Sequence, residues 1–231
     1  MRVTLLEFFG LNTALNNIAL AQRKSSRSSV INTVPLKGKE KINVIEYGSS
    51  ISVFPKDIEV LKKLLEKGKE KAKPIKALNV SLRINASRGW WKAILKFQGV
   101  RALFSDSSLL IISKQLLQKR EFTFIEHDLF NRLNEAIVNQ NKTFLKENLP
   151  DTYKQTRDII VDYPTLTFIY KTFKDNKNEE WFRFFEALKE LPFADDFIFY
   201  DNISAELDES LIVPQVASEL LDEECLNIVV D

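Results

Sequence analysis

The stretch ALNVSLRINASRGWWKAILKFQ, residues 77–98, decides how the chain is read. Leu78, Val80, Leu82, Ile84 and Ala86 alternate with Asn79, Ser81, Arg83, Asn85 and Ser87, the period-2 pattern of a strand with one dry face and one wet face. If Arg88-Gly89 is a two-residue turn, the alternation continues into a returning strand. Trp91, Ala93, Leu95 and Phe97 then join the dry face, while Trp90, Lys92 and Lys96 join Arg83 on the wet one. A one-residue slip would destroy that sorting, so the sequence predicts an antiparallel hairpin. Short strands near 100–105 and 109–113 would extend it into a meander.

Toward the amino terminus, a strand pair is predicted over 41–54 around Gly48-Ser49-Ser50. A helix then opens at Pro55 and Asp57, with Ile58, Leu61, Leu64 and Leu65 on one face. QRKSSRSS (22–29) and PLKGKEK (35–41) read as loop or arm. Toward the carboxyl terminus, EFTFIE (121–126) reads as a short strand and Asp128 to about Lys146 as a helix, with another helical segment opening at Pro150-Asp151. Strands are predicted at 158–161 and, in TLTFIYKTF, at 165–173. A helix through Trp181, Phe184, Phe185 and Leu188, a last strand FIFY (197–200) and a terminal helix from Pro214 toward Val229 complete the pattern.

This irregular interleaving with hairpins indicates an α+β fold. Its basic half is rich in antiparallel hairpins packed with helices, and its acidic half mixes helix and strand. The expected division is a basic β-rich lobe over 1–120 and an acidic lobe over 121–231, with one continuous domain as the alternative.

The chain has 231 residues, 45% hydrophobic and 28% charged, enough to bury a core, and its 6 Gly and 7 Pro exclude collagenous or low-complexity classes. A single cysteine, Cys225, and a single histidine, His127, provide no intramolecular disulfide and no Cys/His zinc set. A reducing, cytoplasmic location fits this, and no metal or cofactor is expected. The first 21 residues faintly resemble a signal peptide, but Glu7, Asn12, Asn16 and Asn17 interrupt the apolar run, so they read as part of the mature protein. No window reaches the roughly 18 consecutive apolar residues of a membrane span.

The formal net charge of +1 hides a segregation. Residues 1–120 hold 23 Lys and Arg against 8 Asp and Glu, a net of +15, whereas residues 121–231 hold 10 against 24, a net of −14. Such asymmetry points to a polyanion partner. The predicted hairpin places Arg83, Lys92 and Lys96 beside Trp90, flanked by Lys73, Lys76, Arg88 and Arg101. Cations that neutralise phosphates beside an indole that stacks on a base suit single-stranded DNA or RNA. The bland alternative is a solvated sheet face with Trp90 folded under a loop. The acidic end, with Asp208, Glu209, Asp222, Glu223 and Glu224, is the candidate surface for a protein partner or self-contact. Trp181, Phe182, Phe184 and Phe185 cover more than one helical face, which suits either a partner or packing on two sides.

Enzyme signatures are poor, and whether the chain is an enzyme stays open. Pro150-Asp151 with Asp175 and Lys177 formally matches a metal-dependent nuclease layout, but Lys174 to Asn178 reads as a turn where that layout wants a strand. His127 beside Asp128 could act as a general base, although a capping role at a strand-to-helix junction is more ordinary. Cys225 sits among acids that raise a thiol pKa, and no phosphate-loop, dinucleotide or nucleophile-elbow motif occurs. The leading expectation is therefore a non-enzymatic nucleic-acid-binding protein. The alternatives are a structural subunit of a virus particle or other large complex, and a metal-dependent nuclease.

Overall fold

Strand Asn79–Ser87 forms as its alternation predicts, but its partners are distant segments rather than the residues that follow it. In this computed structural model the described residues are 1–22, 42–46, 49–53, 55–66, 73–105, 112 and 114–200. In chain order the elements are β1 (Arg2–Phe9), α1 (Leu11–Gln22), β2 (Ile42–Glu46), β3 (Ser49–Val53), α2 (Pro55–Glu66), β4 (Asn79–Ser87), α3 (Arg88–Ile94) and β5 (Val100–Ser105), followed by α4 (His127–Val138), α5 (Lys142–Asn148), β6 (Lys154–Asp162), α6 (Tyr163–Phe173), α7 (Glu179–Leu188) and α8 (Ala194–Phe197). The main sheet has the order β1-β4-β6-β5 and every neighbouring pair in it is antiparallel; β2 and β3 form a separate two-stranded sheet. This is an α+β fold. β6, from the acidic half of the chain, lies between β4 and β5 from the basic half, so both halves build one sheet.

The second arm of the predicted hairpin is helix α3, and the reason is local. Ser87 sits in extended backbone and its hydroxyl accepts the Trp90 amide at 3.2 Å, an N-cap that starts a helix where a turn was expected. Trp90, Trp91, Ile94 and Phe97 are all buried, and their spacing is helical. The same residues also support an alternating pattern, and the cap decides between the two. TLTFIYKTF behaves likewise: Asp162 accepts the Thr165 amide at 2.8 Å, Pro164 sits in the first turn, and Leu166 and Ile169 turn inward, so 165–173 lies in α6 despite its β-rich composition. FIFY closes helix α8 and the turn after it, with the Ile198 amide bonded to the Ala194 carbonyl. EFTFIE contributes only an isolated bridge between Phe122 and Tyr153. The helix expected over 128–146 is broken into α4 and α5, where Gln140 takes a left-handed φ of 54°. Pro150-Asp151 opens no helix and leads by a turn into β6. The expected strand pair occurs as Ile42–Glu46 and Ser49–Val53, and the helix from Pro55, the strands at 100–105 and 158–161 and the helix through Trp181 occur as predicted.

One face of the sheet carries the core. Val80, Leu82, Ile84 and Ala86 of β4 with Ile159 and Val161 of β6 pack in one cluster with Ile58, Leu61 and Leu65 of α2, Trp90 and Trp91 of α3, Leu166 and Ile169 of α6 and Trp181 and Phe184 of α7. A smaller cluster gathers Leu133 and Ile137 of α4, Leu145 of α5, and Leu117, Phe122 and Tyr153. No helix among the described residues is long and apolar enough to cross a membrane.

Candidate functional site

The alternation that sends Leu82 and Ile84 into the core sends Ser81, Arg83 and Asn85 to the other face, which the described residues of the apolar cluster leave uncovered around Arg83, whereas Ser81 is 7% exposed. The register aligns this face in rows across the strands. Thr4, Arg83, Asp158 and Phe104 form one row, Glu7, Ser81, Ile160 and Arg101 the next on one side, and Arg2, Asn85 and Thr156 the next on the other. Both outer strands are irregular, β1 between Leu5 and Glu7 and β5 between Ala102 and Phe104, and bulges of this kind re-aim side chains.

An ion pair occupies the centre. Arg83 Nε donates to Asp158 Oδ1 at 2.8 Å and Arg83 Nη2 donates to Oδ2 at 2.7 Å, a fork-to-carboxylate geometry. The Asp158 side chain is 12% exposed and that of Arg83 55%. Hydrogen bonding from the guanidinium holds the Asp158 carboxyl below its ordinary pKa of 3.8, against the opposing effect of burial. One row along, Asn85 Nδ2 donates to Thr156 Oγ1 at 3.0 Å. On β5, Arg101, Leu103 and Phe104 are exposed. The face thus combines a neutral donor–acceptor pair, a flanking cation and an open aromatic ring, which suits a small anionic molecule bearing a polar ring.

The end of β4 is fixed by a carboxylate. Glu180, 6% exposed in the first turn of α7, accepts hydrogen bonds from the Ser87 amide at 2.9 Å and from the Ser87 hydroxyl. One buried acid thereby ties the start of α3 to the start of α7, where the helix dipoles favour negative charge.

The residues singled out by sequence are dispersed. Lys73 and Lys76 are exposed on the 3-10 turn Lys73–Ala77 that precedes β4. Arg88 opens α3 and its Nη1 donates to the Leu149 carbonyl at 2.6 Å, while Lys92 donates to Asp151 at 2.8 and 3.0 Å; both staple α3 to the approach to β6. Lys96 is exposed just after α3. Only Arg83 and Arg101 share the uncovered face. Trp90, expected on the wet face, is 2% exposed, with ring centroids 5.0 Å from Trp91, 5.1 Å from Trp181 and 5.2 Å from Phe184. It is a core residue with no ring face open to a base, because α3 replaces the strand that would have displayed it.

Asp208, Glu209, Asp222, Glu223, Glu224 and Cys225 lie outside the described residues. Asp151 pairs with Lys92, and Asp175 and Lys177 lie in the exposed segment after α6. Among the described residues no group of three or more His, Cys, Asp or Glu is placed to hold a metal ion. His127 is exposed at the start of α4, its Nε2 3.2 Å from Asn131 Nδ2. Asp158, Thr156 and Phe104 were not singled out by the sequence. The available signal was a charged residue inside the strand-like run TRDIIVD, at a position whose neighbours Ile159 and Val161 point into the core.

The sequence matches no protein-family model and no curated protein. Its fold, however, is similar to solved structures along nearly the whole chain. A thymidylate synthase X from Helicobacter pylori, solved with FAD and dUMP, superposes with a TM-score of 0.59 at 16% identity, covering 88% of this chain and 100% of that one. A second structure of the flavin-dependent thymidylate synthase from Helicobacter pylori, complexed with FAD and dUMP, gives a TM-score of 0.60 at 15% identity, with the same coverage. At these identities the likeness is one of fold. It nevertheless corrects the expectation of a non-enzymatic nucleic-acid-binding protein, and with it the expected DNA or RNA partner and the viral or assembly-subunit and nuclease alternatives. The similar proteins are nucleotide enzymes solved with a mononucleotide and a flavin, and the hairpin face on which the polynucleotide reading stood does not form.

Proposed function

We propose that this chain is an enzyme of nucleotide metabolism that takes a uridylate-type mononucleotide together with FAD on the uncovered sheet face. The observation that supports it most is the likeness of fold, over 88% of the chain, to thymidylate synthases solved with FAD and dUMP. The chemistry of the donor set fits such ligands. Arg101 offers a cation for a phosphate, Asn85 and the Arg83–Asp158 pair offer donors and acceptors, and Phe104 with Leu103 offers an apolar surface for a ring.

FAD, when bound, supplies the redox chemistry that no side chain of this set can supply. The residues of the chain bind and orient. After the bulge in β5 the register sets Phe104 opposite Asp158, and Glu180 fixes the end of β4 through Ser87.

The test is titration of the full chain with FAD, followed by flavin absorbance and fluorescence, and with dUMP, followed by calorimetry. A product assay then looks for thymidylate. Saturable binding of both ligands supports the reading. A folded chain, verified by circular dichroism, that binds neither overturns it.

A further inference from the structure

We infer that Arg83 and Asp158 act as one neutral recognition element for the imide edge of a ring, the edge common to uracil and to the flavin, while Arg101 takes the anionic part of the ligand. This rests on the nucleotide reading above and concerns how that face divides its work. An isolated arginine at the centre of the face would attract a phosphate. Here the carboxylate cancels its charge, and the pair sits in fork geometry with both contacts at 2.7–2.8 Å. A carboxylate oxygen has about two acceptor sites, so Asp158 can receive a ring N–H while bound to Arg83. The Arg83 side chain is 55% exposed, so a ring carbonyl beside that N–H can reach it. An imide presents that N–H and carbonyl side by side.

The next position in the same row is Phe104, 53% exposed, a flat apolar surface for the ring. Arg101 pairs with Ile160, two residues along β6 from Asp158 on the same face, which is a displacement of about 7 Å. A cation at that remove from a neutral centre separates phosphate recognition from ring recognition. Asp158 is thus a positioning residue, which fixes the direction of the Arg83 donors, as well as an acceptor.

The full-length chain and its variants are titrated calorimetrically with dUMP, deoxyuridine and riboflavin, and each variant is melted. Asp158→Asn is expected to weaken dUMP binding about tenfold, equivalent to about 1.4 kcal/mol. It is expected to weaken binding of deoxyuridine or riboflavin by the same factor; whichever responds identifies the ring being read. Arg83→Lys, which keeps the charge but loses the fork, should do the same and serves if Asp158→Asn does not fold. Arg101→Ala should weaken dUMP alone. If the folded variants at 83 and 158 bind deoxyuridine and riboflavin like the wild type, or if Asp158→Asn tightens dUMP, the inference is overturned and the pair is only structural. A folded wild type that binds none of the three probes removes the nucleotide reading and the inference with it.

Discussion

The two faces of the central sheet are built on opposite principles. The covered face is redundant: Val80, Leu82, Ile84 and Ala86 of β4 and Ile159 and Val161 of β6 share one apolar cluster, and the helices that close on it bring Trp90, Trp91, Trp181 and Phe184 into edge and tilted ring contacts. Each aromatic side chain there buries on the order of 150–250 Å², and the loss of any one is felt by several neighbours. The uncovered face is sparse. Its described contacts include the Arg83–Asp158 ion pair and the Asn85–Thr156 bond, the kind of contact worth about 1 kcal/mol when partly solvated. Stability is concentrated on the first face, which leaves the second free to change its residues without unfolding the chain. Substitutions on the two faces are therefore expected to separate cleanly in what they alter.

The largest effect is expected at Trp90. Trp90→Ala removes a side chain at 2% exposure from the junction of α3 and α7 and should cost about 3–5 kcal/mol, read as a drop in urea midpoint with the slope unchanged. A ligand-binding defect without destabilisation would instead return Trp90 to a surface role and break the contrast between the faces.

A smaller loss is expected at the hinge between them. Ser87→Ala removes the N-cap of α3 and deprives buried Glu180 of one of its two donors, for a combined cost of about 1–3 kcal/mol. Gly99 gives a matched test. A Cβ there would lie 1.9 Å from Thr165 Oγ1 and 2.8 Å from Thr165 Cβ, inside a fully buried residue, so Gly99→Ala should cost about 1–3 kcal/mol by overpacking. At Gly89 the nearest atom to an added Cβ is 3.5 Å away and the backbone is already helical. Gly89→Ala should therefore be neutral or stabilising by up to about 1 kcal/mol. Thermal melts of the two alanine variants should move apart, and equal shifts would show that the close packing of Gly99 on α6 is not what limits that position.

Legibility in the sequence follows the same division. β4 was readable because five alternating apolar positions enter one core, and α2 and α7 because helical spacing and capping residues agree. Residues 90–97 were not, since Trp90, Trp91, Ile94 and Phe97 satisfy helical spacing while Trp91, Ala93, Leu95 and Phe97 satisfy alternation. The deciding contact is one hydrogen bond, the Ser87 cap on the Trp90 amide, which the alternation does not encode, and Ser87 is itself held by Glu180, 93 residues away in the chain. The sheet order was illegible for a related reason. β1, β4 and β6 meet through long-range pairing that no local pattern encodes. Of the candidate site, Arg83 and Arg101 were found through their charge. Asp158 was missed because a lone acid in a strand means nothing until the register sets it opposite Arg83.

A small effect on stability is expected at that pair, and pH reveals it. Because the guanidinium holds the Asp158 carboxyl below 3.8, the unfolded chain takes up this proton at higher pH than the folded chain does. The contribution of Asp158 to stability is complete above the ordinary carboxylate range and is lost as pH falls through the lowered value. Asp158→Asn should therefore cost about 1 kcal/mol or less at pH 7 and progressively nothing as the pH drops below about 4. Urea titrations of both proteins at pH 7 and in the acid range measure this convergence. A gap between wild type and variant that stays constant with pH would mean that Asp158 stabilises the sheet by shape alone and that its charge does not govern the uncovered face.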